Sequence, residues 1–194
     1  GMGFSVERRF VDDLPKVRSQ SESPTIGHRV EDSTEGWCAA LNAGLEAWWG
    51  GRDVRFDFSG VRPAGAPLKT KGGRASGPEP LRELLDYART KILAKQGRRL
   101  DPIEVHDICC KIGKIVQVGG VRRAACISLS DPDDRDMAVA KTGMFWIKEP
   151  QRTMANNSAV YESRPADVDL MGEWMRLVES GSGERGLFNR AGLQ

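Results

Sequence analysis

Apolar positions along the chain follow two rhythms. They recur every third or fourth residue in Trp37, Leu41, Leu45 and Trp48, in Leu81, Leu84, Leu85, Ala88, Ile92 and Leu93, and in Val105, Ile108, Ile112 and Ile115. That spacing predicts three amphipathic helices. Val54, Phe56 and Phe58 instead alternate with Arg55 and Asp57, which is the two-residue period of a strand. Gly3 to Val6, Cys126 to Leu129 and Met154 to Tyr161 read as further strands. Asp131 to Ala140 and Asp167 to Val178 read as further helices, followed by Gly143 and Gly181.

Boundary residues sharpen the pattern. Asp32-Ser33-Thr34-Glu35 predicts a capping box with Asp32 as the cap, and Ser76-Gly77-Pro78-Glu79 a second, with proline in the tolerated first turn. Asp101-Pro102-Ile103-Glu104 marks a third helix start, and Gly50-Gly51 and Gly119-Gly120 mark helix ends. Asp12 to Pro15 reads as a turn, and Arg18 to Gly27, with its serines and Pro24, as an exposed, mobile connector. Phe188-Asn189-Arg190 runs out without a closing element, so the chain reads as a piece of a larger domain. Strands alternating with helices predict an α/β fold with a largely parallel sheet.

Composition narrows the partners. The 194 residues suffice for one domain, or two small ones. A net charge of +2 gives no bulk attraction for DNA or RNA, so any anion site must be local. No apolar run approaches the ~18 residues of a membrane span. Nothing argues for secretion, which leaves a cytoplasmic expectation. Cys38, Cys109, Cys110 and Cys126 show no CxxC spacing and read as reduced thiols. No histidine stands near any of them in a way that would activate it, no Ser/His/Asp set assembles, and His28 and His106 lie in no metal-ligand pattern. Asp133-Asp134 reads as a helix start.

Two loops carry candidate chemistry. Gly119-Gly120-Val121-Arg122-Arg123-Ala124-Ala125 combines backbone freedom, guanidinium forks suited to phosphate, and small neighbours. Lys69-Thr70-Lys71-Gly72-Gly73-Arg74-Ala75-Ser76-Gly77-Pro78 repeats the formula upstream, at a helix N-terminus that favours anions. Each loop is equally consistent with a solvated, glycine-rich connection, and neither is a Walker motif. Asn156, Asn157 and Ser158 place amide and hydroxyl groups in a strand, suited either to a substrate or to backbone satisfaction.

In order and spacing, these segments resemble the catalytic subunit of ribonucleotide reductase, most closely the adenosylcobalamin-dependent (class II) ribonucleoside-triphosphate reductases. The resemblance runs through Gly3 to Val6, Val30 to Trp37, Arg62 to Leu68, Gly72 to Leu81, Asp107 to Cys109, Ile112 to Lys114, Val118 to Ala125, Ala155 to Val160 and Gly181 to Asn189. Its most specific elements are Gly72-Gly73-Arg74-Ala75-Ser76-Gly77-Pro78-Glu79-Pro80-Leu81 and Gly119 to Ala125. Class I reductases share these loops but use a separate radical-generating subunit.

The resemblance implies part of a ten-stranded α/β barrel, a largely parallel half-barrel with flanking helices, with residues 1–194 a single fragment containing both specificity loops. It assigns Lys69, Lys71, Gly72, Gly73 and Arg74 to a deoxynucleoside triphosphate effector and Gly119 to Ala125 to the loop between effector and ribonucleotide substrate. Asn156 and Ser158 then lie near the substrate. It implies adenosylcobalamin as cofactor of the full-length enzyme, not of this segment alone, and a thioredoxin-type reductant. None of the four cysteines matches the family's radical cysteine, which sits in an Asn-Pro-Cys-Gly-Glu motif, so no catalytic residue is assigned and the segment alone is expected to be inactive. Only Lys16 to Arg29 lies where some monomeric members carry a long insertion. That implies an effector site completed by a second subunit, as in a homodimer, or by sequence outside this span. A stand-alone deoxynucleotide-binding regulator without catalysis is the alternative.

Overall fold

The computed structural model describes residues 2–22, 24–68, 73–118 and 126–193. Among the described residues, the chain divides into two compact units.

One unit comprises Gly1–Asp13, Asp101–Lys114 and Arg123–Gln194. Its centre is a four-stranded parallel sheet in the order β1 (Met2–Ser5), β4 (Cys126–Ser130), β5 (Ala155–Tyr161), β6 (Gly186–Asn189). β6 occupies the stretch the sequence pattern left without an element. Leu187 and Phe188 add only one short apolar pair, and pairing with β5 supplies the remaining order. Short helices α1 (Arg8–Val11), α5 (Arg135–Val139) and α6 (Phe145–Lys148) and a 3-10 turn at Pro150–Met154 belong to the same unit. Asp134, not a longer helix from Asp131, starts α5 by accepting from the Met137 amide.

Helix α4 (Pro102–Val118) begins where expected, with the Glu104 carboxylate accepting from the Asp101 amide at 2.8 Å. Up to Lys114 it belongs to this unit, and it packs Cys110 into a cluster with Met154, Ala155, Phe4 and Cys126. Beside Ile108, its buried positions include His106 and Asp107, two polar residues that hydrophobic periodicity passes over. Helix α7 (Asp167–Ser180) is inverted: its fully buried residue is Glu173, paired with Arg185, while Val168, Met171, Trp174, Met175 and Val178 are exposed. The expected amphipathic stripe exists, but it faces outward.

The other unit comprises Leu14–Leu100 and Ile115–Arg122. Here β2 (Ile26–Arg29), α2 (Thr34–Trp49) and β3 (Val54–Asp57) form a β-α-β unit with two parallel strands, followed by α3 (Glu79–Leu93). The connector expected over Arg18 to Gly27 is largely exposed among its described residues, and the fold anchors it: Arg18 N–H donates to Trp49 O, Ser21 N–H donates to Gly51 O, and Ile26–Gly27 belongs to β2.

The cap of α2 is Ser33, whose hydroxyl accepts from the Gly36 amide, not Asp32, which pairs with Arg62. Its buried face runs through Gly36, Ala40, Gly44, Ala47 and Trp48 in place of the Trp37/Leu41/Leu45 stripe, because small residues permit close approach. α3 buries Leu81, Leu84, Leu85, Ala88 and Ile92 as the period predicts. The second capping box does not form: Pro78 precedes α3 without a side-chain cap, and Ser76 donates to Gly77 O. Gly77 adopts φ +75°, and a Cβ there would stand 2.8 Å from the Ala64 amide, so the turn requires glycine.

Candidate functional site

Strand β5 lies between β4 and β6, and its alternation sorts the three polar residues. Asn156 and Ser158 share one face, Asn156 exposed and Ser158 nearly covered; Asn157 points to the other face and is buried. Gly186 on β6 makes room for Ser158, since a Cβ there would sit 3.2 Å from Ser158 Oγ. The two residues expected near substrate are thus together on one face, which is open at Asn156 and covered at Ser158.

Asn157 explains why the middle amide is different. Its Oδ1 lies 2.9 Å from His106 Nε2, and its backbone N–H donates to Glu184 at 2.7 Å. A carboxamide oxygen only accepts, so His106 Nε2 carries the proton. Lys141 Nζ donates to Ala155 O at 2.6 Å and pairs with the same Glu184. Asp107 receives a two-pronged pair from Arg152 at 2.7 and 2.9 Å, and Arg152 also donates to Ala140 O.

His106 also lies 3.5 Å from Cys110 Sγ, one helical turn along α4, a proximity that the sequence reading did not single out. The spacing from 106 to 110 was the available signal. Proximity does not activate this thiol. Burial pushes the Cys110 thiol far up, and burial pushes Cys109 up to about 11.

A second polar cluster stands at the carboxyl ends of the strands, where parallel sheets commonly take ligands. Glu7, just after β1, accepts from Arg190, just after β6, at 2.9 and 2.7 Å; Ser5 Oγ donates to Glu7 at 2.6 Å, and Arg9 and Glu162 complete the cluster. The Arg190 guanidinium holds the Glu7 carboxyl below its ordinary value against the opposing effect of burial. A cleft of about 450 Å³ opens among Glu7, Arg9, Asp131, Tyr161 and Glu162, and one of about 520 Å³ lies by Arg164, Leu170 and Asn189. None of these residues was selected from the sequence, because each charge is defined by a partner distant in the chain.

Of the first basic loop, Gly73 and Arg74 are described: Gly73 has φ +91°, and Arg74 bridges antiparallel to Pro67 and donates to Gly65 O at 3.0 Å. Leu68 N–H to Gly73 O and Ala75 N–H to Ala66 O extend this small hairpin base. Lys69, Lys71, Gly72 and all of Gly119 to Ala125 lie outside the described residues. No helix among the described residues is long and apolar enough to cross a membrane.

No family model matches the chain. It is 29% identical over 198 residues to the adenosylcobalamin-dependent ribonucleoside-triphosphate reductase of Lactobacillus leichmannii, covering 84% of this chain and 27% of the relative. It is 33% identical over 203 residues to that of Lactobacillus acidophilus, with the same coverage. To that of Euglena gracilis it is 33% identical over 165 residues, covering 83% and 22%. A crystal structure of a B12-dependent (class II) ribonucleotide reductase superposes with a TM-score of 0.71 at 27% identity, over 84% of this chain and 27% of that one. The chain therefore spans about a quarter of the length of the relatives it matches. By sequence and by its parallel α/β architecture, the chain belongs to the adenosylcobalamin-dependent (class II) ribonucleotide reductase family.

Proposed function

We propose that the chain is the part of a ribonucleotide reductase catalytic chain that carries the effector and substrate specificity loops and one stretch of the active-site wall. The carrying observation is joint: similarity extends over 84% of the chain in sequence and fold, and β5 places Asn156, exposed, and Ser158, buried, on one face. The four parallel strands are then part of the barrel wall. Residues 69–74 take the phosphates and base of a deoxynucleoside triphosphate, and residues 119–125 read that effector against the ribonucleotide. One loop contacted from two sides is a physical route to allostery, because each ligand favours the loop conformation it binds better.

In the parent enzyme the ribose 2′-hydroxyl is replaced by hydrogen, and adenosylcobalamin supplies the radical that begins this chemistry. The two clefts described, of about 450 and 520 Å³, are small for a corrin macrocycle. Cobalamin, the radical cysteine and the contact with a thioredoxin-type reductant belong, in this proposal, to other parts of the parent chain. None of the four cysteines here lies in an Asn-Pro-Cys-Gly-Glu motif. This segment's contribution is to bind and orient nucleotide.

Two measurements test the proposal. The purified chain is titrated with the four deoxynucleoside triphosphates, and saturable, base-dependent binding is expected. It is also assayed for ribonucleotide reduction with adenosylcobalamin and a dithiol, and no turnover is expected. Binding with no continuation of the reading frame into the radical-cysteine motif would instead favour the free-standing regulator; absence of binding by the parent enzyme as well would remove both.

A further inference from the structure

We propose that His106 is a positioning residue for the open face of β5: by holding Asn157 on the buried side, it sets the tilt at which Asn156 and Ser158 meet a ligand. This rests on the reading that the open face meets the ribonucleotide.

A strand presents successive side chains to opposite faces, so rotation of one residue about the strand axis swings both neighbours. Three side-chain contacts hold the start of β5. Lys141 fixes the carbonyl of Ala155 and Glu184 fixes the amide of Asn157. Both grip the backbone, as does the ladder to β4, so what they leave free is the residual rotation about the strand axis felt at the Asn157 side chain. The His106 contact grips the Asn157 side chain, 2.9 Å away, and resists that rotation.

The anchor is itself rigid. His106 and Asp107 are fully buried, and Arg152 pins Asp107 in the same turn of α4 with two hydrogen bonds. His106 also lies against Phe4 of β1, ring centroids 6.0 Å apart, so it is wedged between strands on either side of β4. No hydroxyl substitutes for it in the described contacts: Ser128, the register partner of Asn157 on β4, is buried with its own Oγ unpartnered among the described residues. Losing the His106 donor would strand a buried carboxamide oxygen, which then turns toward any available donor and carries the strand with it.

The test uses the full-length reductase, loaded with adenosylcobalamin and assayed with a dithiol. His106→Leu keeps packing and removes the donor; His106→Gln keeps a donor. The expected result for His106→Leu is a KM for ribonucleotide raised about tenfold with kcat changed less than about twofold, and for His106→Gln a KM near wild type. Asn157→Ala, which removes the acceptor, should raise KM similarly and serves if His106→Leu does not fold. Asn156→Ala reads the face directly. If it raises KM while His106→Leu and Asn157→Ala leave KM unchanged, or if kcat and KM fall away together without rescue by glutamine, the positioning role is overturned. If Asn156→Ala is silent while His106→Leu speeds amide exchange across β5, the anchor stands and the substrate reading of the face falls.

Discussion

Glu7 and Arg190 meet through two hydrogen bonds across 183 positions of sequence, each just beyond the end of an outer strand of the four-stranded sheet. The ladders feeding them continue past the strands: Val6 N–H donates to Leu129 O and Arg190 N–H to Tyr161 O. The pair therefore ties β1 to β6 over the carboxyl ends of β4 and β5, where the 450 Å³ cleft opens.

Glu7→Gln should lower unfolding free energy by about 1.5–3 kcal/mol near neutral pH, the range for hydrogen bonds to a charged group. Because the folded carboxyl titrates below its ordinary value, its stabilisation is complete above the usual carboxylate range and is lost as pH falls through the folded value. Urea unfolding from pH 7 to pH 3 should show the gap between wild type and variant closing on acidification. A gap independent of pH would contradict the assignment.

Breaking the buried Asp107–Arg152 pair should cost more. Asp107→Ala leaves a guanidinium largely enclosed against Ala140 O without its carboxylate, and a loss of about 3–5 kcal/mol is expected. Thermal or urea unfolding of the variant measures it; a loss under about 1 kcal/mol would show that water replaces the partner.

Helix starts offer a paired comparison. Ser33→Ala removes the hydroxyl that accepts from the Gly36 amide and should destabilise by about 1 kcal/mol. Ser76→Ala, at the box that does not form, should stay within about 0.5 kcal/mol of wild type. Equal effects at both sites would reverse the capping assignment.

Thiol reactivity should separate by burial. Cys38 is exposed, whereas Cys109 is pushed up to about 11 and Cys110 further. A disulfide reagent at pH 8 should modify Cys38 rapidly, with Cys109 and Cys110 reacting on the timescale of opening or unfolding. Fast modification of Cys110 in the native protein would mean that His106 activates it after all.

In the parent enzyme, Arg122→Ala combined with Arg123→Ala should weaken nucleotide binding by about 1.5–3 kcal/mol for each charged hydrogen bond lost. Calorimetric titration with substrate and effector checks it. Unchanged affinity and unchanged effector response would count against the specificity-loop assignment.

What the sequence determined by itself was local or carried by spacing. The core stripe of α3 and the alternation of Val54, Phe56 and Phe58 were legible because each residue's environment follows from its neighbours along the chain. The family was legible because two glycine- and arginine-rich segments recur in a fixed order. Tertiary structure decided whatever depends on partners far apart in sequence. It made Glu173 the buried residue of α7 because Arg185 neutralises it, built β6 from a short apolar pair because β5 offers a ladder, and chose Ser33 over Asp32 because Arg62 takes the aspartate. Above all it enclosed His106 and Asp107, which no hydrophobic period could select. A polar side chain is buried only where a second chain segment supplies its hydrogen bond, and that segment is known only once the chain has folded.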